Sequence, residues 1–158
     1  MITIFLNLVL ATTLPTINAV NYRNLAARIA KEENIPPELF KAIVRKESRF
    51  NPFAVYGGRK GYHFKNKSDA VRKVEQLKKA GKRNINVGLV QVNLQHHKSY
   101  SPEQLFDPEC NLRYGARYLK KLHRQFGSWR KAVGFFHAGK NQKYYNCYIR
   151  NLSCVIPD

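Results

Sequence analysis

The sequence predicts a mainly α single domain. Three observations carry that prediction. The length of 158 residues is enough for one core and too short for two. Apolar residues recur at helical spacing in most segments beyond residue 20. Those segments open on Ser, Asp or Pro and often stop at Gly, the residues that favour helix starts and ends. No repeat, low-complexity tract or linker divides residues 20–158.

Residues 1–19 stand apart. Ile2 to Leu14 is an apolar run too short to span a bilayer as a helix, and Ile17-Asn18-Ala19 ends in a small residue. This pattern predicts a signal peptide cleaved after Ala19, although its start carries no Lys or Arg; the alternative is an unprocessed apolar helix. Asn24–Asn34 then reads as a helix with Leu25, Ala26 and Ile29 inward. Ile35-Pro36-Pro37 breaks it, and Pro37 suits the first turn of the next helix, which runs to Ser48 with Leu39, Phe40, Ile43 and Val44 apolar. Residues 49–67 hold Asn51-Pro52, Gly57-Gly58 and Gly61 and are expected to be loop. Ser68-Asp69 is expected to cap a helix to Ala80, and the alternation over Val87–Asn93 predicts one short extended segment. Ser101-Pro102 opens a short helix, Asp107-Pro108 a longer one to Phe126, Ser128 one to Ala138, and Asn141 a last helix carrying Tyr144, Tyr145, Tyr148, Ile149 and Leu152.

Twenty-eight Lys and Arg against ten Asp and Glu give a formal charge of +18, none of it from residues 1–19. Such a surface concentrates polyanions, whether nucleic acid, anionic lipid or a carboxylate-bearing cell wall, so charge alone does not choose among them. The three cysteines, Cys110, Cys147 and Cys154, leave an odd thiol if two pair, and spacing does not rank the pairings. The five histidines lack a helical i, i+4 pair or partnering cysteines, so no metal site is expected.

Glu47 is the strongest chemical candidate. It falls four residues after Ile43 and three after Val44, on or beside the apolar stripe of its helix. Loss of hydration there favours the neutral acid, which departure of a glycosidic oxygen requires. The alternative is a Glu at a helix end paired with Arg45 or Arg49. Sugar cleavage usually takes two flanking carboxylates, and no other acid is an obvious second, because most sit at helix starts or on charged faces.

Glu47-Ser48-Arg49-Phe50-Asn51-Pro52 resembles the Glu-Ser-x-x-Asn-Pro signature of the bacterial lytic transglycosylases, whose catalytic domain is lysozyme-like, as in goose-type lysozyme. Gly88-Leu89-Val90-Gln91-Val92-Asn93 resembles their Gly-Leu-Met-Gln-Ile-Asn segment. Asp107-Pro108-Glu109-Cys110-Asn111 is similar to their Asp-Pro-x-x-Asn helix, and Phe135-Phe136-His137-Ala138-Gly139 to a Tyr-Asn-Ala-Gly or Tyr-His segment. The four lie in order over about residues 25 to 152. The basic helix and Lys79-Ala80-Gly81-Lys82-Arg83-Asn84 resemble the branch accompanying type IV secretion, conjugation and pilus assembly.

The resemblance implies a peptidoglycan lyase of the periplasm or envelope. It cleaves the β-1,4 bond between N-acetylmuramic acid and N-acetylglucosamine and leaves a 1,6-anhydro sugar. It needs no cofactor and acts as a monomer on glycan strands, with components of a secretion, conjugation or pilus apparatus as further partners and no nucleic acid. It makes Glu47 the catalytic acid, then base. Gln91 and Asn93 become groove hydrogen bonders, with Ser48, Phe136, His137 and Tyr148 also at the substrate site and Ser48 supporting the Glu. Two departures stand out: Phe136 where Tyr is common, and His137 for the commoner Asn. Tyr148 reads equally well as packing of the last helix. His96 and His97 are expected to border the groove, Tyr56, Tyr62 and Phe64 to stack on sugars, and Trp129 to lie in the core. The rival readings are a hydrolytic muramidase, a non-catalytic wall-binding or assembly protein, and a nucleic-acid binder suggested by the charge.

Overall fold

The computed structural model describes residues 21–96, 99–139 and 141–157. The expected leader at residues 1–19, and His97, lie outside the described residues. Helices dominate, as expected: α1 (Tyr22–Glu32), α2 (Pro37–Ser48), α3 (Lys67–Lys79), α4 (Pro102–Leu105), α5 (Pro108–Phe126), α6 (Trp129–Ala138) and α7 (Gln142–Leu152). Strands β1 (Ala54–Gly57), β2 (Lys60–His63), β3 (Ile85–Val87) and β4 (Val92–Asn93) form one antiparallel sheet in the order β2-β1-β3-β4.

Helix ends follow the local chemistry. Ser101 and Gln104 form a reciprocal capping box on α4, Asp107 accepts from Cys110 N to cap α5, and Ser128 accepts from Lys131 N to cap α6. The cap of α3 is Asn66 rather than Ser68: its Oδ1 accepts from Asp69 N at 2.9 Å while its Nδ2 donates to the Asp69 carboxylate. In α1 the inward residues are Ala26, Ile29 and Ala30, with Leu25 at the margin.

Two further expectations are corrected. Residues 49–67 contain the β1–β2 hairpin, with Ala54 opposite His63 and Gly57 opposite Lys60. Strand β2, Lys-Gly-Tyr-His, has no apolar alternation and exists through its pairing with β1. The segment Val87–Asn93 is not one extended piece: Gly88 (φ 81°) and Gln91 (φ 53°) turn the chain back, so that β3 pairs with β4 through Val87 and Val92.

The core lies between the helices and one face of the sheet. Leu39, Phe40, Ile43 and Val44 of α2 are fully buried, as are Leu112, Ala116 and Leu119 of α5. Each large apolar side chain contributes about 1.5–3 kcal/mol by leaving water. Helix α5 is the spine: α1 and α4 pack against it, and α6 packs between it and α7. An ion-pair network aligns α1 with α5. Arg113 reaches Glu32 at 2.8 Å and Glu109 at 2.7 Å, and the same guanidinium holds both carboxyls below their usual range. These groups remain partly exposed to solvent, so the network sets register more than it stabilises.

The sharpest constraint is a buried side-chain amide. Asn111 is 1% exposed; its Nδ2 donates to Val87 O at 3.1 Å and Leu105 O at 2.8 Å, and its Oδ1 accepts from Val90 N at 2.9 Å. One α5 residue thereby satisfies three backbone groups from the turn after β3 and the end of α4. Gly88 is required beside it, because a Cβ there would stand 2.1 Å from Asn111 Nδ2 and 2.8 Å from Leu105 O.

Asn111→Ala strands two carbonyls and one N–H in the interior. It is expected to cost about 3 kcal/mol of unfolding free energy, measured by urea denaturation. Asn111→Asp is expected to be no better at neutral pH, since a carboxylate faces two carbonyl oxygens.

Candidate active site

Glu47 sits in the last turn of α2, at the inner edge where its spacing from Ile43 and Val44 puts it. The helix stops abruptly: Arg49 (φ 56°) and Phe50 (φ 63°) are both left-handed, at a cost of roughly 1–2 kcal/mol each for non-glycine residues. Asn51 stabilises this exit. Its Oδ1 accepts from Phe53 N at 2.7 Å and its Nδ2 donates to Phe64 O at 3.2 Å, which ties the exit to the chain following β2. Ser48 is buried and donates to Val44 O, so it packs behind the acid rather than facing open space.

The Glu47 side chain is only 12% exposed. Its Oε1 accepts from Tyr148 Oη at 2.7 Å and lies 3.1 Å from His137 Nδ1. An ionised carboxylate only accepts, so Nδ1 carries its hydrogen in that state. The His137 and Tyr148 rings stack, with centroids 4.0 Å apart and planes 9° apart. Oε2 has no hydrogen-bond partner among the described residues, which leaves one carboxyl oxygen held and the other available.

Helices α6 and α7 deliver these two partners. They approach closely at Gly134, where a Cβ would stand 2.0 Å from the Tyr145 ring, and α7 then reaches α2. Tyr148 is 2% exposed, so it both packs α7 and touches the acid. Burial first, then the charge of Glu47 and the hydrogen bond to it, pushes its phenol well above the ordinary tyrosine value.

Glu47 opens into a groove of about 470 Å³. One side is amide-rich, with Asn84, Asn86, Gln91 and Asn93; the other is aromatic, with Tyr114, Tyr118, Phe135 and Phe136. Gly115 lets α5 approach the β3–β4 turn, since a Cβ there would lie 2.6 Å from the Val90 side chain. Glu47 is the only carboxylate lining the groove among the described residues.

The amides are oriented by one another. Asn93 Oδ1 accepts from Gln95 N at 2.9 Å and His96 N at 3.3 Å, which fixes which way its amide points. Its Nδ2 then donates to Asn84 Oδ1 at 2.6 Å and Asn86 Oδ1 at 2.7 Å. The Nδ2 groups of Asn84 and Asn86 donate to no described residue. Gln91 Nε2 donates to Gly88 O at 2.9 Å, so its Oε1 is the end it presents.

Of the residues singled out in the sequence, Gln91, Asn93, Phe136 and His137 line the groove beside Glu47, as does His96. Ser48 and Tyr148 stand behind it. Tyr62 and Phe64 stack on each other at 6.4 Å, with Lys73 Nζ 4.5 Å from the Tyr62 ring centroid, and Tyr56 lies at the far end of the hairpin; none lines the groove. Trp129 is half-buried and stacks on His123 at 3.8 Å. The three cysteines are unbonded. Sequence reasoning missed Asn84, Asn86, Tyr114 and Tyr118. The two tyrosines were visible as an i, i+4 pair around Gly115; Asn84 stood in the basic segment without a groove role assigned to it, and nothing local marked Asn86.

A family model described as the transglycosylase SLT domain matches residues 24–147. Over 116 residues the chain is 31% identical to the protein IpgF of Shigella sonnei, covering 70% of this chain and 62% of that one. Over 118 residues it is 31% identical to the type IV secretion system protein virB1 of Brucella abortus, covering 66% of this chain and 49% of the relative. Protein virB1 of Agrobacterium fabrum is 25% identical over 162 residues, 92% of this chain and 65% of its own length. The chain thus spans about half to two thirds of the relatives it matches. No solved structure matches it.

The raised phenol of Tyr148 ties stability to pH in one direction. Below about pH 10 both folded and unfolded chains hold the proton; above it the unfolded chain releases a proton that the folded one keeps, so stability falls as pH rises. Tyr148→Phe is expected to flatten that fall between pH 9 and 11, read by urea denaturation at each pH.

Proposed function

Because the chain belongs to the transglycosylase SLT domain family, we propose that it cleaves the peptidoglycan bond between N-acetylmuramic acid and N-acetylglucosamine by non-hydrolytic transfer. The observation that carries this reading is the lone carboxylate. Hydrolysis of a glycosidic bond ordinarily uses a second carboxylate to activate water or to attack the sugar, and among the described residues Glu47 has no such companion in the groove.

A single acid suffices when the nucleophile belongs to the substrate. Neutral Glu47 gives its proton to the glycosidic oxygen through the unpartnered Oε2, and the C1–O bond breaks. The resulting carboxylate takes the proton of the C6 hydroxyl of the same muramic acid. The C6 oxygen closes on C1 to form the 1,6-anhydro ring. No water is consumed, and the tethered hydroxyl has the high effective concentration of an intramolecular group. Tyr148 and His137 hold Oε1, so the swing of charge on Glu47 meets a fixed hydrogen-bond donor. Phe136 withholds a hydroxyl from the groove wall, but Tyr148 already supplies one to the acid. The donors of Asn84 and Asn86 suit sugar oxygens and acetamido carbonyls, and the facing aromatics suit sugar faces.

Relatives and composition together support a reading of the cellular task. The Brucella relative is named as a type IV secretion system protein, and residues 1–19 carry an export pattern. In this reading the chain acts in the periplasm or envelope, opening the wall locally for an envelope-spanning apparatus.

Digestion of purified peptidoglycan is expected to release anhydro-muropeptides, one water lighter than hydrolysed ones by mass spectrometry. Glu47→Gln is expected to reduce their release at least about 100-fold. Tyr148→Phe is expected to lower kcat about 10-fold with KM little changed, through loss of a hydrogen bond to a charged group. Reducing-end products would indicate a muramidase instead. Undiminished cleavage by Glu47→Gln would remove Glu47 from the chemistry.

A further inference from the structure

A second concavity, of about 690 Å³, lies at the other end of the sheet and shares Asn84 with the groove of Glu47. Its charged lining is Arg59, Lys82 and Arg83, with Tyr56 as its aromatic member. No carboxylate lines it, and none of the three cations has an ion-pair partner among the described residues. In a chain that spends most of its few acids on ion pairs, three cations converging without one is a local excess.

The basin is built from two rigid chain reversals. Gly58 (φ 61°) and Arg59 (φ 69°) are the central residues of the β1–β2 hairpin and both are left-handed, as a type I′ turn demands. Asn or Gly is favoured at the second position, so Arg59 holds a guanidinium where the backbone disfavours a Cβ. Across from it, α3 ends in a Schellman motif: Lys82 N donates to Leu77 O and Gly81 N to Lys78 O, each at 2.9 Å. This seats Lys82 against the hairpin, with its Cε 3.6 Å and Cδ 3.9 Å from where a Gly58 Cβ would stand. Strand spacing of about 4.8 Å puts β1 roughly 10 Å across the sheet from β4. Glu47 lines the groove but not the basin, so a polymer held at Glu47 would reach the basin with a neighbouring unit, not with the bond being cut.

We propose that this basin binds the free carboxylates of the peptide stems carried by the glycan in the groove. The inference rests on the wall-cleaving reading above and adds what that reading leaves open, recognition of the peptide as well as the sugar. Continuity through Asn84 calls for an anion tethered to the glycan, and the stems supply carboxylates there. Guanidinium forks match carboxylates in two-point geometry. The open, solvated setting makes the contact one of affinity and placement, not of chemistry.

The test is the variant R59Q/K82Q/R83Q, exposed positions all, against its parent on two substrates: peptide-bearing wall, and glycan strands stripped of stems by an amidase. On the first, KM is expected to rise about 10-fold at unchanged kcat; on the second, the two proteins are expected to coincide. An equal loss on both substrates, or no loss on the first, overturns the proposal. A cleavage-free arm separates this outcome from the fate of the proposed function. Glu47→Gln is pelleted with intact wall and with wall whose stem carboxylates have been converted to amides. Binding is expected to weaken about 10-fold on amidation, and R59Q/K82Q/R83Q in the same background is expected to abolish that difference. If the parent cleaves neither substrate but the amidation difference holds, the basin stands and the proposed function falls. If cleavage proceeds with identical KM in parent and variant, the proposed function stands and the basin falls. Binding that ignores amidation but is lost to competing anionic phospholipid vesicles overturns the stem assignment.

Discussion

The side-chain amide of Asn111 ties α5 to the turn after β3 and to the end of α4 by three buried hydrogen bonds. Everything on the amide side of the groove is referred to that point. Gly88 must be glycine because the amide occupies the space of its Cβ. The turn that follows then places Gln91 and Asn93, and Asn93 orients Asn84 and Asn86. Misplacing a buried donor is expensive in a low-dielectric interior, whereas a surface contact can slide. That difference lets one residue set the geometry of several others that never touch it.

The electrostatics divide into two kinds. Glu32, Glu33 and Glu109 are used in ion pairs within and between α1, its C-cap and α5, with Arg28, Arg113, Arg117 and Lys120, which leaves a large uncompensated positive charge over the rest of the surface. That field is long-ranged and salt-sensitive, and its effect would be on the rate of encounter with any polyanion. The groove works by the opposite means: one carboxyl, neutral donors and aromatic faces, all short-ranged.

Much of this was legible in the chain. The caps of α4 to α7 are single residues that act locally, and a reader needs only Ser101, Asp107, Ser128 and Asn141 to find them. The hairpin was not legible, because β2 is a strand only by virtue of its partner; nothing in Lys-Gly-Tyr-His reads as half-buried. Glu47 stood out by its place on an apolar stripe and by its resemblance to a known motif. Tyr148 was ambiguous for a physical reason: it is both core and contact, and spacing reports only the first. Asn84 and Asn86 escaped notice because their role comes from Asn93, several residues away and on another strand.

Tyr148 stands 101 residues after the carboxyl it holds, and His137 stands 90 after it. The acid is therefore made early and completed late. A chain that crosses a membrane or leaves a ribosome from its N-terminus exposes α2 long before α7 can dock against it. Until that docking, Glu47 has neither partner in place. The contacts that hold Glu47 are therefore the last part of the site to form as the chain emerges.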